Sequence, residues 1–205
     1  MRAVSALCLA LAVAPAAALA DPPAPVAAPV VDPRLDLLER DATHARVWFW
    51  GFTSAYAVAA VAQTTLALAL ADPGLRIDAA VGAGCATLAL AGMVITPVPR
   101  VWRAAADARR TGNVDAAMLA AANAETAGRA WYNHLLVGVV SVTAGLILWV
   151  GYDRPVSAAI TFAQDVIVGE LNLLLIPTRA ARHRRSAVAW AIAPSLNGAS
   201  LVGAW

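Results

Sequence analysis

Along most of this chain the apolar residues neither alternate nor mark out one face of a helix; they run on without interruption. Four runs, 47–71, 77–97, 135–152 and 156–176, each come close to the roughly 20 residues with which a helix crosses a bilayer's hydrocarbon core. The runs fall into two pairs. The first pair turns at Asp72-Pro73-Gly74 and the second at Tyr152-Asp153-Arg154-Pro155. Turns this short make the two helices of a pair antiparallel neighbours. The second run of each pair ends on proline and arginine, at Thr96-Pro97-Val98-Pro99-Arg100 and at Ile176-Pro177-Thr178-Arg179. Asp72 to Pro97 is 25 residues and Asp153 to Pro177 is 24, so the hairpins read as a repeat related by an axis along the membrane normal. The predicted fold is an all-α membrane protein over 47–176, a four-helix transmembrane bundle of two antiparallel hairpins.

The remaining segments are more polar. Residues 1–20 read as a secretory signal peptide: Arg2, an apolar stretch from Val4 to Ala14, then Ala18-Leu19-Ala20 before Asp21. Residues 21–46 read as a proline-rich linker followed by a short surface helix over 34–46. Between the hairpins, 98–132 favours a protruding helical hairpin. Thr111-Gly112-Asn113 marks its turn, and Asn113 is placed to cap the second helix. The tail, 177–205, begins with an arginine-rich juxtamembrane segment. It continues with Val188, Trp190 and Ile192 alternating with alanine and an Asn197-Gly198 turn signal, which predicts a β-hairpin. Trp48, Trp50, Trp102, Trp131, Tyr132, Trp149 and Tyr152 lie at the ends of the runs, where aromatic rings meet the headgroup region.

Composition sharpens the membrane assignment. The 205 residues are 60% hydrophobic and 14% charged, where a soluble domain carries roughly a quarter. The two cysteines, Cys8 and Cys85, allow no disulfide framework once the signal is removed. All fifteen basic residues are arginine, and their distribution conflicts with the signal peptide. Twelve arginines lie in 21–46, 98–132 and the tail, whereas the two tight turns hold only Arg76 and Arg154. The positive-inside rule would set the arginine-rich side in the cytoplasm. A cleaved signal followed by four spans sets it outside. The more specific signal peptide features favour a bacterial-type inner (cytoplasmic) membrane with both termini periplasmic.

The fourth run carries the unusual chemistry. Thr161, Gln164, Asp165, Glu170 and Asn172 interrupt it, and an ionisable group at such a depth costs about 2.5–3.5 kcal/mol or more. Thr161, Asp165 and Asn172 share a face, with Glu170 turned well away. These five form the candidate intramembrane polar site, with Gln63, Thr64, Thr65, Ser141 and Thr143 as expected hydrogen-bond partners. Gly138, Ser141 and Gly145 recur at three and four residues and predict a helix–helix seam. Arg179, Arg182, Arg184 and Arg185, with Arg100 and Arg103, are expected to meet anionic lipid headgroups.

No catalytic residue, cofactor or metal ligand set is predicted; His44, His134 and His183 are too scattered to converge. Nucleic acid is not an expected partner. The sequence therefore points to a non-enzymatic envelope scaffold or assembly component, held by lipid and by another envelope protein or a second copy. The alternative is a small oligomeric transporter or proton-linked channel built on Asp165 and Glu170.

Overall fold

A computed structural model describes residues 32–187, 189–195 and 198–204, with side-chain surroundings up to residue 185. The expected signal peptide, and the linker as far as residue 31, lie outside the described residues.

The first hairpin joins α1 (Pro33–Ala69) to α2 (Pro73–Ile95). Asp72 accepts the Leu75 N–H at 2.8 Å and Pro73 opens α2, so the turn is built from the residues that signalled it. After a break at 96–98, α3 (Pro99–Thr111) leads to α4 (Val114–Gly128). Gly112, at φ 72°, closes α3 in the left-handed conformation that glycine takes without strain. Asn113 caps α4 by accepting the Ala116 N–H at 3.0 Å. The second hairpin pairs α5 (Trp131–Leu146), which ends in a π-helical turn at Ile147–Gly151, with α6 (Pro155–Leu174). The short basic helix α7 (Arg179–Ala187) follows, and then strands β1 (Ala189–Ser195) and β2 (Gly198–Ala204), which pair antiparallel with Ser195 opposite Gly198.

Three helical stretches, Pro33–Ala69, Pro73–Thr111 and Val114–Gly151, are long and apolar enough to cross a membrane. A fourth is obtained if α6 and Arg179–Arg185, bent by 58°, are taken as one broken span. These lengths are compatible with a multi-pass membrane protein. The large side chains left bare, among them Val58, Val61, Leu68, Leu88, Val94, Leu135, Val139, Val150, Ile160 and Ile167, are those a hydrocarbon surrounding would cover.

The segment 34–46 is not a separate surface helix. It is the first third of α1, and at 37 residues α1 is about 55 Å long, well beyond the ~30 Å hydrocarbon core. The overhang is where the buried core collects. Leu38, Ala42 and Ala45 of α1 pack with Val98, Val101, Ala104, Ala105 and Ala108 around α3, Ala117, Ala121 and Ala124 of α4, and Ala180 and Ala181 of α7. Alanine at nearly every contact lets these four elements approach closely. We call this layer the platform. Arg109 Nε to Glu39 Oε1 at 2.6 Å, and a contact between Arg34 and Asp115, tie its rim; exposed pairs of this kind contribute little.

The seam between α5 and α6 differs in part from the one expected. Ser141 and Ala144 are buried there, and Gly145 faces the Ala158 carbonyl and Phe162. Gly138 does not take part: a Cβ added to it would meet nothing within 4 Å. Its place is taken by Gly169 of α6, which lies so close to Val137 that a Cβ would sit 2.5 Å from Cγ1. Between the hairpins, on the side of the tight turns, Arg154 grips Asp78 with Nε at 2.8 Å and Nη2 at 2.6 Å, and Ser157 donates to the same carboxylate at 2.9 Å.

Candidate functional site

The five polar residues of α6 do not converge. Gln164 is exposed on the outer face and Thr161 is half-buried. The Asp165 carboxyl lies in hydrogen-bonding reach of the Cys85 thiol on α2, and its Oδ2 is buried without a partner. Glu170 points to α5, where its Oε2 is 2.7 Å from His134 Nδ1. Asn172 points to the first hairpin: its amide donates to the Tyr56 hydroxyl at 3.1 Å and lies 3.8 Å from Met93 Sδ. The carbonyl of Asn172 accepts the Trp48 indole N–H at 2.8 Å. Thus α6 sends one polar group to each helix around it. The hydroxyl partners expected from the sequence turn inward on their own helices instead. Thr65, Ser141 and Thr143 donate to the carbonyls of Val61, Val137 and Val139, one turn back, which removes them from interhelical bonding. Gln63 lies over Gly82 of α2 rather than against α6.

A second constellation lies in the platform, and no sequence signal singled it out. Asp41 of α1 is 0% exposed and Glu125 of α4 is 1% exposed, the two buried acids among the described residues. Each caps the first turn of α7. Asp41 Oδ2 accepts the Ala180 N–H at 2.8 Å, and Glu125 Oε2 accepts the Ala181 N–H at 2.7 Å. The amides of a first helical turn have no partner within the helix, and the dipole there favours negative charge. The second oxygens, Asp41 Oδ1 and Glu125 Oε1, are buried with no donor from elsewhere in the protein. The two carboxyl groups stand beside each other at the start of α7. Burial, and after it the neighbouring Asp41 carboxyl, pushes Glu125 up to about 8. Arg179 approaches from α7, with Nη1 3.9 Å from Asp41 Oδ1.

Beside this pair opens a cavity of about 440 Å³, lined by Glu125, Thr126, Arg129, Thr178, Ala181, Arg182 and Arg185. It divides the six arginines expected at headgroups. Arg182 and Arg185 line it, and Arg129, which was not among the six, joins them from the end of α4. Arg184 instead donates to Asn123 Oδ1 at 3.0 Å, Arg179 turns to Asp41, and Arg100 and Arg103 are exposed on α3. Arg182 also bonds the Thr178 hydroxyl within its own helix.

Among the described residues no group of three or more His, Cys, Asp or Glu stands close enough to hold a metal ion. The arrangement offers buried acids on backbone amides and guanidinium groups around an open recess. No protein-family model, no curated protein and no solved structure matches this chain.

Proposed function

We propose that this chain is a non-enzymatic membrane scaffold or assembly component that presents a rigid helical platform, rich in arginine, at the bilayer surface. One observation carries the reading: the best-packed part of the chain lies outside the apolar runs, where α3, α4 and α7 close over the overhang of α1. A four-helix conduction path would instead concentrate order and polar groups between the spans. On this reading the platform rests on anionic headgroups and offers its outer side to another envelope protein or a second copy. The signal peptide features support a periplasmic platform in a bacterial-type inner membrane. A C-terminal alkaline phosphatase fusion should be active, and activity of a cytoplasmic reporter at the same point would reverse that orientation.

A second reading, a small oligomeric proton-linked channel or transporter, draws on the unpartnered Asp165 Oδ2 and the His134–Glu170 pair. One measurement separates the two. Proteoliposomes with an entrapped pH dye should show no proton leak above protein-free vesicles. Asp165→Asn and Glu170→Gln should change insertion yield more than flux. Flux that both substitutions abolish at unchanged yield would replace the scaffold by the channel.

A further inference from the structure

We propose that the cavity between α4 and α7 is a binding site for the phosphate of a single anionic phospholipid, held by Arg129, Arg182 and Arg185 with the hydroxyl of Thr178. The inference deepens the scaffold reading and rests on it, since it names the ligand by which the platform meets the bilayer.

The chemistry of the walls points to an anion. Three guanidinium groups from two helices line the recess, and neither Arg129 nor Arg185 is paired with a carboxylate among the described residues. Guanidinium presents forked donors that match phosphate oxygens, and the Thr178 hydroxyl, which accepts from Arg182, keeps its own proton to donate. The single acid in the wall, Glu125, is buried and turned to the Ala181 N–H, and its burial favours the neutral form. The amides of Ala180 and Ala181 are already taken by Asp41 and Glu125, so side chains, not the helix end, must hold the ligand. The size, about 440 Å³, lies within the range of small-molecule sites.

Position selects the source of the phosphate. Arg129 stands two residues before Trp131, where apolar α5 begins with the exposed rings of Trp131 and Tyr132. Thr178 follows Ile176-Pro177, where apolar α6 ends. The mouth therefore lies at the level where two apolar helices stop, which is the depth of lipid phosphates in a bilayer. Acyl chains of a lipid held there would lie along the bare apolar sides of α5 and α6.

The test uses the full chain, delipidated in neutral detergent and titrated with a fluorescent phosphatidylglycerol, with phosphatidylcholine and with inorganic phosphate. The anionic lipid should bind saturably at one per chain, and Arg129→Gln with Arg185→Gln should weaken it about tenfold or more, two charges near such a headgroup being worth about 2 kcal/mol. Arg100→Gln with Arg103→Gln should leave that site within about twofold while lowering adsorption to anionic vesicles, as charges outside the recess would. Circular dichroism and gel filtration, together with the Arg129→Lys, Arg185→Lys pair, guard against loss of folding; the lysine pair should recover part of the affinity. Equal losses from both glutamine pairs would overturn the site while leaving the scaffold on a diffuse charged surface. Inorganic phosphate competing as well as the lipid would overturn the lipid as ligand. No preference for anionic lipid at all would remove the site and the headgroup contact of the proposed function together.

Discussion

Unfolded, Glu125 ionises near 4.5; folded between alanines and against Asp41, it keeps its proton up to about 8. A folded-state pKa above the unfolded one means that the fold binds the proton more tightly. The stabilisation is fully present below 4.5 and is lost as pH rises through about 8. The midpoint of thermal unfolding in detergent should therefore fall between about pH 5 and about pH 9, and Glu125→Gln should flatten that slope. An unchanged slope in the glutamine variant would assign the fall to other groups. Asp41→Ala removes the acceptor of the Ala180 N–H and leaves Glu125 facing an empty pocket. It should cost about 3 kcal/mol, more than Asp41→Asn, as read from denaturant unfolding. The faint trace of this site in the sequence is one of spacing. Asp41 lies on the face of Leu38, Ala42 and Ala45, and Glu125 on the face of Ala121, Ala122 and Gly128. An acid on a face of small apolar residues is the mark of a buried carboxylate. It was masked here by the many exposed acids around it and by the absence of any local sign that α7 would return to that face.

Between elements, the prediction concerns close approach. Gly169 meets the stiff, β-branched Val137, so Gly169→Ala should push α6 off α5 and cost about 1–3 kcal/mol. Gly138→Ala, in open space, should be neutral or stabilise by up to about 1 kcal/mol through helix propensity. Equal effects of the two, measured by unfolding in the same detergent, would deny the seam at Gly169. The hairpin turns were legible because their chemistry is local: Asp72 with Pro73, Gly112 with Asn113 and Pro155 each specify an end within a few residues. The seam was half legible. Small-residue spacing identifies a face that can approach another helix, but the partner decides which turn of it does so. The π-helical turn at Ile147–Gly151 had no signal, because an extra residue in a helix leaves the apolar run unbroken.

Across the whole molecule, the two hairpins meet chiefly through α2, and the Asp78–Arg154–Ser157 cluster ties them on the side of the tight turns. A double-mutant cycle on Asp78→Ala and Arg154→Ala should give a coupling of at least about 1 kcal/mol, above that of an exposed pair, since the fork is bidentate and partly buried. A coupling near zero would leave the bonds of Asn172 with Tyr56 and Trp48 as the polar links between the hairpins. The apolar runs could be read directly from the sequence, because lipid imposes a length on every helix that crosses it, but four spans were expected where three helices, or four with one bent pair, qualify, and α1 takes in the whole of 34–46 as well. The platform could not. Its alanine-rich faces carry no strong period, and it is assembled from four segments spread from Leu38 to Ala181.

That spread has a consequence for how the chain is made. Asp41 emerges from the ribosome first and Glu125 later, yet both wait for the amides of Ala180 and Ala181, which are synthesised after them. Until then the nascent platform holds two acids in an alanine-lined pocket with no donor to meet them, and it should remain loose. A chain stopped at Thr178 should insert its hairpins but leave 99–128 open to protease, and adding residues up to Ala187 should close it. The helix α7 thus works as a seal on biosynthesis: its arrival, rather than insertion of the spans before it, is the event that sets the surface layer.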